Sequence, residues 1–340
     1  MSKITKEHLE KHAAGGLFGQ ALGDAFAMPA MLRPEDTRER YGDWIEEFHP
    51  GPPGHPAHEG LKAGQITDDT EQAMALAHTL LEEGKLTVEG AARAIVRWYD
   101  EIDGDNNPYV GPSTRRACLA LKQGADPHTT GLMGDTDGGA MRISPIGLAN
   151  PGRIEEAIAE AVTACTPTHL TRVAISGAAA VAAAVAAAMV PGTGLDDILN
   201  AGIHGGDEGA KHGNTWLGAS VPRRIELAVE IARRDLPVYE RIVTLFDLVG
   251  STLATSETVP TAFGILALGE GDPALCARYS AAVSGDADTV GAMACAIAGA
   301  RKGIQAIPSE WITTLESVNN QYDFRGTARG LAQLAWERLQ

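Results

Sequence analysis

Apolar residues recur along this chain at three- and four-residue steps, the spacing of one face of an α-helix. Over 69–84, Met74, Ala77, Leu80 and Leu81 form such a face and Gly84 supplies the stop. Over 86–102, Leu86, Ala91, Ile95, Trp98 and Ile102 form another. The pattern predicts further helices at 7–26, 153–165, 222–234, 238–254, 260–268, 273–283, 288–302 and 326–339, with no alternating strand runs between them. The segment 173–190, VAISGAAAVAAAVAAAMV, carries no charge over 18 residues. Its alanines favour helix strongly and lipid weakly, so it predicts a buried central helix stopped by Pro191-Gly192 rather than a membrane span.

Pro/Gly-rich loops separate these helices at 49–64, 103–114 and 204–215. Each is short and followed at once by another helix, unlike a flexible linker. The expectation is therefore all-α: a single compact multi-helix domain spanning 1–340.

Composition narrows the picture. Hydrophobic residues make up 44% and aromatics only 5%, so the core must be built from Ala, Leu, Ile and Val. A formal charge of -16, with no Lys/Arg cluster interleaved with aromatics, disfavours nucleic acid as a partner. Cys118, Cys165, Cys276 and Cys295 have neither zinc nor disulfide spacing, and the charged start MSKITKEHLEKH lacks a signal peptide's apolar stretch. Both point to reduced thiols in a cytoplasmic protein with no membrane partner.

No nucleophile elbow, P-loop or zinc-protease helix motif is present. His49, His55 and His58 offer metal-ligand atoms, but in so Pro/Gly-rich a loop solvated histidines are expected. The acidic clusters carry more information. Thr67, Asp68 and Asp69 precede one apolar helix; Asp286, Asp288 and Thr289 open another; D-T-x-x-A-M recurs at 69–74 and 288–293. Helix capping accounts for part of this, with Asp69 and Gln72 fitting a capping box. It does not account for the surplus carboxylates. Crowded buried carboxylates demand protons or a cation, and Asp and Thr oxygens suit Mg²⁺, in a pair of ions roughly 3.5–4 Å apart.

GLFGQALGDAFAMP (16–29), TDDT (67–70), GGAMRISPIG (138–147), TH (168–169) and SGDADTVGAMACAIAGA (284–300), in that order, resemble the ADP-ribosylglycohydrolases, a family that includes the dinitrogenase reductase-activating glycohydrolase. The resemblance spans most of the chain. It implies an all-α fold with a binuclear magnesium site in a central cleft, where Mn²⁺ is the alternative ion. Thr67, Asp68 and Asp69 would be ligands from one side, and Asp286, Asp288 and Thr289 from the other. Gly139 and His169 would lie near the bound ribosyl group, and Asp24 matches the family's Gly-Asp, with a structural hydrogen-bonding role as the competing reading.

The implied chemistry is hydrolysis at a ribose anomeric carbon. The carboxylates of Asp68, Asp69, Asp286 or Asp288 would orient a water or accept its proton, with the base not assigned among them. Three departures bear on the substrate. Met31 stands where many members carry a flap Glu, with Glu35 as a shifted substitute or no substitute at all. Asp135 and Asp137 occupy the loop that usually reads Asn-Gly and helps to hold the distal part of the ligand, where they would repel a diphosphate or else face solvent in Asx turns. Three readings stay open: removal of ADP-ribose from a modified protein or small conjugate, hydrolysis of a small N-ribosyl compound such as a nucleoside, and non-catalytic ADP-ribose binding.

Overall fold

The computed structural model describes residues 4–340. Its helices are α1 (Lys6–Ala27), α2 (Pro34–Tyr41), α3 (Asp68–Glu83), α4 (Val88–Glu101), α5 (Pro112–Lys122), α6 (Gly138–Met141), α7 (Ser144–Leu148), α8 (Ile154–Cys165), α9 (Arg172–Ala188), α10 (Leu195–Gly209), α11 (Val221–Ala232), α12 (Val238–Leu248), α13 (Thr255–Leu268), α14 (Pro273–Val283), α15 (Ala287–Lys302), α16 (Ser309–Val318) and α17 (Phe324–Arg338). Among the described residues there is no strand, only the isolated bridges Thr136–Ala254 and Thr171–Asn214. The all-α expectation holds.

The centre of the fold is the antiparallel pair α1 and α15. Gly15, Gly19 and Gly23, one every four residues on α1, face Gly299, Cys295 and Gly291 on α15. A Cβ at any of these three α1 glycines would run into the backbone carbonyl opposite, so only Gly lets the two backbones approach this closely. The approach has a functional consequence. It brings Asp24, near the end of α1, to the first turn of α15, where Asp288 lies.

The Ala-rich segment forms α9, buried along nearly its whole length and packed by α8 and α10. No helix among the described residues is long and apolar enough to cross a membrane. The 204–215 stretch, expected as a loop, is helical as far as Gly209. Gly205 and Gly209 lie against Ala179 of α9, so these glycines serve close helix packing rather than a turn. Helices α5 and α16 also arise where no helix is expected; α5 starts at Pro112, inside the 103–114 loop.

Two boundaries move for identifiable reasons. Helix α12 ends at Leu248 instead of 254, because Gly250 takes φ 98° and frees 251–253 to line the cleft described below. Helix α13 begins at Thr255, upstream of Pro260. Proline removes the hydrogen bond to the carbonyl four residues back, and that carbonyl, Ser256 O, is taken instead by Arg224 Nη1 at 2.9 Å.

Candidate active site and metal centre

A cleft of about 510 Å³ opens where α3, α15, the 131–138 loop and the 49–64 loop meet. Asp68, Asp69, Asp286, Asp288 and Thr289 line it, and Thr67 lies just beneath. The two acidic clusters, more than two hundred residues apart in sequence, therefore converge. Carboxylate oxygens of Asp24, Asp69 and Asp288 lie within 4.8 Å of one another, all buried.

Thr67 and Asp286, at the N-cap positions, do not spend their side chains on capping. Helix α3 is capped by Thr67 and α15 by Asp286, neither through a side-chain cap bond, and the Gln72 amide expected to complete a capping box donates to Asp68 Oδ2 at 3.2 Å instead. Asp24 accepts from both the N–H and hydroxyl groups of Thr67 and Thr70, including Thr70 Oγ1 at 2.6 Å. It holds the start of α3 while facing the cluster. Thr67 Oγ1 also lies 3.1 Å from Asp69 Oδ2, and its single proton serves only one of the two carboxylates.

Three of the remaining carboxylate oxygens are orphaned. Asp69 Oδ1, Asp137 Oδ2 and Asp286 Oδ2 are buried without a hydrogen-bond partner. Two carboxylates about 4 Å apart repel by about 4 kcal/mol at an effective dielectric near 20, against about 1 kcal/mol returned by one hydrogen bond. Burial first, then the neighbouring aspartates, pushes Asp68, Asp69 and Asp286 well above the usual carboxylate range. Burial likewise raises Asp24 to about 7 and Asp137 to about 6, even against their hydrogen bonds. A buried set of hard oxygens with unpartnered lone pairs fits a divalent cation.

Asp288 is the exception. Burial would raise it, but His58 holds it below its usual value. His58 Nε2 lies 3.1 Å from Asp288 Oδ2, and its Nδ1 donates to Met28 O at 2.9 Å. Since a carbonyl only accepts, both ring nitrogens carry protons when Asp288 is ionised, and His58 is an imidazolium; burial opposes this, and Asp288 raises the ring's pKa nonetheless. His55 stacks on it at 4.5 Å. Its Nδ1 accepts from Ala57 N and His58 N, so its proton sits on Nε2 and the ring is neutral. The expectation of solvated histidines is thus overturned for this pair, which are 8% and 7% exposed; His49 is half-buried against Tyr41.

Residues 284–286 are held by cross-links: Ser284 Oγ pairs with Thr37 Oγ1 at 2.7 Å, and Asp286 N donates to Ser251 O at 2.8 Å. Gly285 takes φ 68° with Ser251 O directly against it, a position that excludes any side chain. Glu35 is exposed, paired with Arg33 and outside the cleft, so the carboxylate missing at Met31 is not replaced from there.

The chain compares as follows with known proteins. The ADP-ribosylglycohydrolase family profile matches residues 5–339. The chain belongs to this family. It is 35% identical to the uncharacterized protein YegU of Escherichia coli strain K12, over 95% of this chain and 97% of that one. It is 25% identical to the ADP-ribosyl-[dinitrogen reductase] glycohydrolase of Rhodospirillum rubrum, over 92% and 93%. A solved chain from an ADP-ribosylglycohydrolase-related protein complex superposes with a TM-score of 0.68 at 24% identity, covering 97% of this chain and 99% of that chain. Members of the family are glycosidases, and this chain is an enzyme of that class.

The substrate-side residues of this chain divide between the cleft lining and the wall behind it. Gly139 and His169 are buried behind the cleft wall, packed on each other, while Gly138 and Thr136 face the cleft. Asp135 does not line the cleft: its Oδ2 accepts from Trp216 Nε1 at 2.9 Å, so its side chain is tied to a neighbour rather than free in solvent. Asp137 does line it, but as a member of the acidic cluster, with its Oδ2 buried and unpartnered. His58 and His55 carry no sequence signal beyond a three-residue spacing, and Tyr109 and Leu253 none at all; proximity alone assigns them to the cleft.

Proposed function

We propose that this enzyme is a divalent-cation-dependent hydrolase that removes ADP-ribose from a modified protein or a small ADP-ribose conjugate. The observation that carries the reading is the buried convergence of Asp24, Asp69 and Asp288 with orphaned oxygens beside them. The Rhodospirillum relative, named for ADP-ribosyl hydrolysis and matched over nearly its full length, supports the substrate class. Residues 1–340 act as one domain in this reading, supported by one main hydrophobic core that joins α1 to α17. A reducing cytoplasm suits its four buried, unpaired cysteines.

Thr67, Asp68, Asp69, Asp286, Asp288 and Thr289 would hold two ions, Mg²⁺ or Mn²⁺, with Asp24 and Asp137 adding carboxylates beside them. Bound ions would supply Lewis acidity and fixed points for ribose hydroxyls. The chain's own residues do the rest. Asp68, Asp69, Asp286 or Asp288 orients the attacking water and takes its proton, and the anionic wall favours positive charge developing on the sugar ring. His58 holds Asp288 ionised and in place.

A second reading, hydrolysis of a small N-ribosyl compound lacking a diphosphate, is favoured by one observation: no lysine or arginine is among the described residues lining the cleft. The test is a hydrolysis screen of ADP-ribosyl-arginine, ADP-ribosyl-serine, O-acetyl-ADP-ribose and plain nucleosides, with Mg²⁺ and with EDTA. Release of ADP-ribose only with metal is the expected result. Turnover of nucleosides alone would select the second reading, and full activity in EDTA would remove the metal from both.

A further inference from the structure

Arg142, at the end of α6, is a buried cation with no anion beside it. It donates from Nη1 to Gln72 Oε1 at 2.6 Å and from Nη2 to Thr168 Oγ1, both neutral acceptors, while its Nε has no partner among the described residues. Burial lowers its pKa, but a guanidinium starts so far above neutrality that it stays charged. Enclosing a charge without a counter-ion is costly, and an apolar side chain of similar volume is usually cheaper to pack. The position therefore calls for a use of the charge.

That use is visible at Gln72. A guanidinium only donates, so the amide oxygen must face Arg142 and the amide nitrogen must face the other way, where it lies 3.2 Å from Asp68 Oδ2. The flipped amide would set N–H groups against the guanidinium and an oxygen against the carboxylate, two repulsions in a residue with no exposed surface. Asp68 and Gln72 stand four residues apart on α3, and so on one face of it. Asp68 lines the cleft, whereas Gln72 and Arg142 do not, so the amide reaches the carboxylate from its buried side. Successive hydrogen bonds polarise one another, and the guanidinium at the far end makes the amide a stronger donor. His58 braces Asp288 by direct contact; Arg142 acts on Asp68 at one remove.

We propose that Gln72 and Arg142 are positioning residues of the metal centre: Arg142 fixes the direction of the Gln72 amide, and the amide holds the Asp68 carboxylate in the orientation in which it meets a cation in the cleft. The buried charge acts on the site without touching metal or substrate. The proposal rests on the metal-centre reading above; the direction of the amide does not.

Gln72→Glu separates this role from a merely structural one. The new carboxylate has nearly the same shape and still accepts from Arg142, now as an ion pair, but it has no proton to give Asp68 and repels it. In EDTA this variant should melt at or above the wild-type temperature, while calorimetric titration shows Mg²⁺ and Mn²⁺ affinity reduced by about ten-fold or more. Gln72→Met, which removes both hydrogen bonds, should lose metal affinity to a similar degree and thermal stability as well. Arg142→Met reads the relay from its far end: with Gln72 and every ligand intact, a several-fold loss of metal affinity is expected, because the amide is no longer held in one direction. Unchanged or raised affinity in Gln72→Glu would overturn the positioning role, and unchanged affinity in Arg142→Met would overturn the part given to Arg142. Wild-type protein that binds neither ion would bring down the metal-centre reading itself, an outcome distinct from variants that bind as well as a binding wild type.

Discussion

His58 holds Asp288 through Nε2 at 3.1 Å while its Nδ1 is anchored on the Met28 carbonyl at the end of α1. The imidazolium is thus braced from behind and fixes one carboxylate of the cluster in its ionised form. Groups that orient a metal ligand from behind typically carry ten- to a hundred-fold of metal affinity. His58→Ala should therefore weaken Mg²⁺ or Mn²⁺ binding by about ten-fold or more, with the helical circular dichroism unchanged. Direct metal titration checks this, and unchanged affinity would mean that Asp288 needs no brace.

Stability of the metal-free protein should run against the usual pH trend. Asp24 and Asp137 are raised to about 7 and about 6 from an unfolded value of 3.8, and Asp68, Asp69 and Asp286 are raised well above that value too. The folded chain then keeps protons that the unfolded chain has released, so stability is fullest below the unfolded value and is lost as pH rises through the folded ones. Asp288, shifted the other way, offsets part of this. Thermal melts in EDTA should fall between pH 4 and about 7, and saturating Mg²⁺ should raise the melting temperature most at the upper end. A melting temperature that climbs over this range in EDTA would contradict the burial of ionisable groups described here.

Close approach of α1 and α15 predicts an unusually costly glycine substitution. Gly23→Ala places a methyl group against the Gly291 carbonyl, where neither backbone can yield without separating the helices. A loss of about 1–3 kcal/mol or more is expected from overpacking, read from the denaturant midpoint. Gly111→Ala, at φ -59° with nothing within 4 Å of the new Cβ, is the control and should change stability little.

Asp135 and Asp137, two residues apart, should respond differently to amidation. Asp137→Asn removes a carboxylate from the acidic cluster and should weaken divalent-ion binding measurably. Asp135→Asn keeps an acceptor for Trp216 Nε1 outside the cleft and should leave both metal affinity and the ADP-ribose-to-ribose preference unchanged. Metal and ligand titrations of the two variants decide, and an effect of Asp135→Asn on ligand preference would mean that its side chain turns toward the ligand.

Local sequence determined the helices whose apolar face is periodic, α3 and α4 among them, because burial of one stripe is written in three- and four-residue spacing, and it determined α9 through its run of alanines. It also marked the acidic clusters at 67–69 and 286–289, since surplus carboxylates at a helix start have few purely structural uses. What it could not contain was distance. Glycine reads as a breaker, yet Gly205 and Gly209 pack helices together and Gly250 does end one; only the neighbouring backbone separates these uses. His58 became a charged partner of Asp288 because α1 delivers Met28 to its other nitrogen, and His169 withdrew behind Thr136 because Arg142 and Thr168 hold it there. Hydrogen-bond direction and desolvation depend on which groups meet in three dimensions, and those meetings are decided by tertiary packing.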